Sequence, residues 1–248
     1  MASQPSTAPS APTAASADYL QWSRDPAVAL LSVVPLWLIY EGLRFDLAPA
    51  ERNGAEALVS DGIAAFGPRA LLVVKVLLGL TVIVAAIVVW RRKLPWARIA
   101  GVSALEGTVY GFLLGPLTQI LMFETGALAL RGTRLDPIEL VGSLGAGVFE
   151  EAVFRLLFLS LLALIFVRAV AAFGMPRALG VAVAIGISAL VFSWFHHVGR
   201  GGEPFQWPVF LFRAVAGALL GLIFVVRGFA VVVYCHASYD VYYFLTHG

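Results

Sequence analysis

Charge is scarce in this sequence. Asp, Glu, Lys and Arg make up 13% of its 248 residues, roughly half the share found in soluble domains. Cysteine occurs once, at Cys235, which excludes an internal disulfide and any zinc site built on CxxC pairs. HExxH is absent, so the helix-borne zinc motif of many metalloproteases is missing too. No basic patch interleaves with aromatics, so nucleic acid is not an expected partner. The opening "MASQPSTAPSAPTAAS" lacks the basic and apolar blocks of a signal peptide, and residues 1–17 read as a disordered tail. No repeat of 20–50 residues is visible, so residues 18–248 read as one domain.

What the chain has in excess is apolar length. Hydrophobic residues reach 60%, and runs of 18 residues or more are long enough to cross a bilayer. Seven segments stand out: Val28–Phe45, Ala70–Trp90, Val102–Glu124, Ile138–Val170, Ala178–His197, Trp207–Val226 and Phe229–Thr246. The expected fold is all-α, a polytopic bundle of about seven transmembrane helices, with the lipid bilayer as solvent and the cell membrane as its place. The fourth segment exceeds one straight span, so Asp136–Leu144 is expected to lie on the membrane surface before the chain turns inward. Glu51–Gly67 fits an interfacial helix or a plain loop equally well. The basic cluster Arg91–Arg98 predicts a cytoplasmic loop between the second and third segments in the sense of the positive-inside rule, which puts the N-terminus inside and the C-terminus outside.

Ionisable residues inside such segments are costly and mark function by default. Glu106, Glu150, Glu151, Arg155, Arg213, His236 and Asp240 qualify. Glu151 and Arg155 stand i,i+4 and can pair. Glu150 lies about 100° round the helix from Glu151 and must face another helix. "LVFSWFHHVG" offers His196, and "YCHASYDVYYF" offers His236 with Asp240 at i,i+4. In lipid these groups should converge inward. A carboxylate and an imidazole sharing one water are equipped for general-base hydrolysis, and a second His with an Asp can hold an oxyanion or orient a substrate. His197, near a helix end, reads as a solvated residue. Glu106 and Arg213 read as structural, with Glu106 or a backbone carbonyl as the candidate partner of Arg213. Cys235 reads as inert packing.

These motifs resemble the CPBP family of intramembrane glutamic endopeptidases, the CAAX proteases and bacteriocin-processing (Abi) enzymes. The family pattern is EExxxR, FxxxH and Hxxx(N/D) on successive membrane helices. Here it stands as Glu150–Arg155, Phe192–His196 and His236–Asp240, a motif-bearing core within residues 136–248. The resemblance implies that Glu150 and His196 activate water, that His236 and Asp240 form the oxyanion side, and that Glu151 and Arg155 brace the rest. It implies no cofactor, no metal, and a membrane-anchored protein or peptide as substrate. The family more often has Asn where Asp240 stands. An ionised Asp accepts hydrogen bonds and donates only when protonated, so orienting His236 is an alternative role. With the predicted orientation the site opens outward, which suits trimming C-terminal tails of exported or lipid-anchored proteins. Two other functions compete: a metal-dependent protease using Glu150, His196, His236 and Asp240 as ligands, and a non-catalytic membrane protein with an immunity, scaffold or transport role.

Overall fold

The computed structural model describes residues 19–46, 54–122, 136–198 and 202–247. The expected tail at 1–17 lies outside them. Among the described residues there are eight principal helices and no strand: α1 (Pro26–Leu43), α2 (Gly54–Ala64), α3 (Ala70–Arg91), α4 (Trp96–Leu121), α5 (Pro137–Ala172), α6 (Arg177–Phe195), α7 (Trp207–Arg227) and α8 (Phe229–His247). The seven long ones fall on the seven predicted segments within a few residues, except that α4 begins six residues earlier. Gly54–Ala64 resolves as a short helix rather than a loop.

Local chemistry sets the helix ends. Asp25 caps α1 by accepting from the Ala27 and Val28 amides, with Pro26 in the first turn. Asp136 and Glu139 form a capping box at the start of α5. Gly228 alone joins α7 to α8, at φ +94°, a conformation that an L side chain rarely adopts.

Five helices, α1, α3, α5, α6 and α7, are long and apolar enough to cross a membrane. Their outer faces expose large apolar side chains; α3 buries only Ala85 and Val89. That is the surface a protein shows to lipid. The expected count of seven is not reached by this measure, because α4 and α8 carry the polar residues of the interior. The N-terminal half of α8 is buried nearly all round, from Phe229 to Val233 and again at Cys235 to Ala237, so protein rather than lipid is its surroundings.

Close backbone approach holds α8 at its depth. A Cβ on Gly107 would fall 2.6 Å from the Val231 carbonyl, and one on Gly111 2.6 Å from the Cys235 carbonyl. On the other side, a Cβ on Gly147 of α5 would meet that of Ala237 at 2.6 Å. Small residues at four-residue spacing let helices approach this closely, and dispersion and interhelical hydrogen bonds then supply the attraction that lipid cannot. Ser238 donates to Thr108 at 3.1 Å, and Tyr234 to the Ser32 carbonyl at 2.9 Å.

Asp136–Leu144, expected as a surface-lying piece, is not a separate element. It continues without a break into α5, and Val141, Ser143 and Leu144 are buried against α1 and α8. At 36 residues the helix is about 54 Å long, longer than the roughly 30 Å hydrocarbon core of a bilayer.

Candidate active site

The helix carrying the two glutamates widens where it carries them. Ala146–Glu150 and Ala152–Leu159 wind as π turns, on either side of Glu151. π-Bulges cost regular hydrogen bonding and concentrate at functional sites. Gly147 sits one turn before Glu150 and lets α8 close in, which brings His236 to both carboxylates.

His236 lies between them. Its Nδ1 donates to Glu151 Oε1 at 2.6 Å, and its Nε2 stands 4.0 Å from Glu150 Oε2. Asp240, one turn on, places Oδ2 3.6 Å from the same Nε2. From α6, His196 brings its Nε2 to 3.7 Å from Glu150 Oε2. His196 follows the last residue of α6, and its Nδ1 donates to the Phe192 carbonyl at 2.9 Å. Both histidines therefore spend the Nδ1 proton on a fixed acceptor, and both turn Nε2 toward Glu150. Glu150, His196, His236 and Asp240 come together as the sequence predicts.

Glu151 and Arg155 lie beneath, 0% and 1% exposed, with Arg155 Nη1 at 2.9 Å from Glu151 Oε1. Arg155 also donates through Nη2 to the Gly217 carbonyl at 3.3 Å, and its guanidinium stacks 4.2 Å above the Phe192 ring. The predicted pair is there, but it does more than neutralise itself. The same Glu151 oxygen holds His236. That second bond crosses from α5 to α8, so helix periodicity carried no signal of it.

One further expectation needs correction. Glu106 does not pair with Arg213. Arg227 takes both Glu106 oxygens, at 2.6 and 2.8 Å, and Tyr19 and Tyr110 donate to the same carboxylate at 2.5 and 2.8 Å. Burial first, and then the Glu106 carboxylate, push the Tyr19 hydroxyl up to about 12. Arg213 instead binds Glu203 at 2.8 Å, and the guanidinium holds that carboxyl below the usual range. His197 is half-buried: it packs on Phe205 and Phe210 with its Nε2 buried, while its Nδ1 meets the Glu203 carbonyl at 3.2 Å in an exposed contact. Cys235 is a free, buried thiol in the apolar core.

The arrangement can do acid–base chemistry. A carboxylate separated by 3.7 and 4.0 Å from two imidazole nitrogens is too far for direct hydrogen bonds and at the right separation to share one small polar molecule with them. Among the described residues, no group of three or more His, Cys, Asp or Glu side chains is arranged to hold a metal ion.

A family model described as type II CAAX prenyl endopeptidase Rce1-like matches residues 137–242. The match runs from the first turn of α5 to the last turns of α8 and takes in every residue of the cluster. It agrees with the CPBP resemblance and supports a multi-pass membrane endopeptidase. No curated protein and no solved structure matches the chain.

Proposed function

We propose, from the premise that residues 137–242 form an Rce1-like domain, that this chain is an intramembrane endopeptidase. It hydrolyses a peptide bond near the end of a membrane-associated protein. The observation that carries the reading is the buried Glu150 carboxylate flanked by two imidazoles that both offer Nε2. In this reading Glu150 and His196 hold one water. Glu150 takes its proton, the hydroxide oxygen bonds to the scissile carbonyl carbon, and the proton passes to the departing amine as the C–N bond breaks. His236, fixed by Glu151, stands with Asp240 where the carbonyl oxygen acquires charge. Asp240 lies 3.6 Å from Nε2 while Nδ1 is committed to Glu151, so Glu151 is the better placed of the two to orient the ring.

The substrate class is a lipid-anchored or exported protein with a C-terminal tail, and the cell membrane is its place. The ends of the bundle support an outward-facing site. Asp25 pairs with Arg92, and Ser23 donates to the Arg227 carbonyl, which gathers the N-terminal segment and the α3–α4 and α7–α8 turns at one end. His196 and the segment after it belong to the other. Cys235 is buried, so Pro204→Cys gives a single accessible thiol. Labelling of whole cells by an impermeant maleimide is expected, and labelling only after lysis would reverse the orientation.

The decisive test is hydrolysis by the full chain in bicelles. The probe is a library of S-farnesyl peptides with the residues after the modified cysteine randomised. Glu150→Gln should lower cleavage by about 10²–10⁴-fold without lowering the melting temperature in proportion. Wild-type turnover in Glu150→Gln would end the proposal. Loss of activity in chelator, restored by zinc, would instead favour a metal mechanism.

A further inference from the structure

Arg213 is the cation of this region whose pairing does not account for its position. Arg155 and Arg227 each lie against a buried or largely buried carboxylate. Arg213's ion-pair partner is Glu203, whose side chain is 53% exposed. Its Nη2 makes that one bond, and its Nη1, like one nitrogen each of Arg155 and Arg227, is buried with no hydrogen-bond partner; what sets Arg213 apart is that its carboxylate is solvated. A guanidinium drawn into a membrane helix and held by one solvated partner is a costly arrangement unless something else binds there.

Its surroundings say what that is. Arg213 stands one turn before Gly217 on α7, and Gly217 accepts from Arg155 and packs on Phe192. On its other side, the Glu203 amide donates to the His196 carbonyl at 2.9 Å. Glu203 thus links the two, holding the Arg213 guanidinium through its carboxylate and the His196 backbone through its amide. A planar cation with a spare donor, next to a cluster rich in carboxylates, will not attract another cation. It fits a carboxylate brought by the substrate, bound by the fork of the guanidinium in place of Glu203.

We propose that Arg213 binds the terminal carboxylate of the polypeptide being cut, and so confines cleavage to a bond a few residues from a C-terminus. This rests on the hydrolase reading of the same site. The four residues from Arg213 to Gly217 rise about 6 Å, and an extended peptide advances about 3.3 Å per residue. Arg213 is joined through Glu203 to the His196 backbone, and His196 stands 3.7 Å from Glu150, so a carboxylate on Arg213 lies within a few residues of a bond held beside His196. Substrates cut far from their C-terminus, such as those ending in a whole membrane-spanning tail, could not use it.

The test measures retention, which does not depend on turnover. Full-chain Glu150→Gln protein, immobilised in bicelles, is presented with the S-farnesyl library made once as free acids and once as C-terminal amides. Free acids should be retained about tenfold to a hundredfold more strongly than amides. In Glu150→Gln/Arg213→Gln the two libraries should be retained within about twofold of each other. Arg213→Lys should fall between, because it keeps the charge and loses the fork. Glu203→Gln, which frees the guanidinium, should strengthen retention of the acids. Equal loss of acids and amides on Arg213→Gln would make Arg213 a structural residue and overturn the proposal. So would the absence of any preference for acids. Strong retention of amides carrying Asp near the end would assign Arg213 to an acidic side chain instead and likewise overturn it. If the preference holds while the wild-type protein cuts nothing, the hydrolase reading fails and the carboxylate site stands.

Discussion

Glu151→Gln isolates what the buried charges contribute. One oxygen of Glu151 forms an ion pair with Arg155 Nη1 at 2.9 Å and accepts from His236 Nδ1 at 2.6 Å, and neither Glu151 nor Arg155 is more than 1% exposed. Glutamine keeps the shape and removes the charge. Arg155 is then an uncompensated cation in a low dielectric, and breaking a buried pair from one side costs about 3–5 kcal/mol. The weakened His236 bond is part of that figure rather than an addition, since both contacts share the oxygen. For a protein of this size about 1 kcal/mol moves the melting midpoint by roughly 2–4 °C, so the expected loss is of order 10 °C. Arg155→Met in the same background removes the stranded charge and leaves an apolar chain against the Phe192 ring, so Glu151→Gln/Arg155→Met should recover most of the loss. Its cleavage should nonetheless remain depressed, on the order of 10²–10⁴-fold, because His236 has lost the charged acceptor that sets its tautomer and angle. The assay is paired: thermal melting in bicelles by circular dichroism, and peptide cleavage well below the midpoint. A single variant melting within about 2–4 °C of wild type would refute the account, as would a double variant no more stable than the single one.

Other expectations follow from the packing and the far end of the bundle. Gly111→Ala places a Cβ 2.6 Å from the Cys235 carbonyl and should destabilise by about 1–3 kcal/mol while impairing cleavage through displacement of α8. Gly79→Ala has open space and should be neutral or slightly stabilising by melting temperature. Glu106→Gln strands Arg227 in a site whose two side chains keep 17% and 9% exposure. It should cost about 2–3 kcal/mol, less than at Glu151, and spare cleavage measured below the melting range. Folded Tyr19 resists ionisation up to about 12 against an ordinary 10.0. Its contribution is therefore complete below pH 10 and declines as pH rises toward 12. A pH series of melting temperatures should show this decline flattened in Tyr19→Phe.

The features that could be read from residue order lie within single helices. The long apolar runs set where helices form, because the bilayer demands about 20 apolar residues and internal hydrogen bonding. The i,i+4 register paired Glu151 with Arg155 and aligned His236 with Asp240, and the turn angle sent Glu150 toward other helices. Contacts between helices were decided by the tertiary structure. Glu151 reaches His236, Arg227 rather than Arg213 answers Glu106, and Glu203 answers Arg213, all across elements whose relative depth no single-helix periodicity encodes. That depth is set where backbones nearly touch, at Gly107, Gly111 and Gly147. The four-residue glycine spacing is visible in the sequence, yet it does not say which helix it admits. Only when α8 settles into those grooves do an imidazole from α8 and another from α6 meet the carboxylate that α5 left without an i,i+4 arginine.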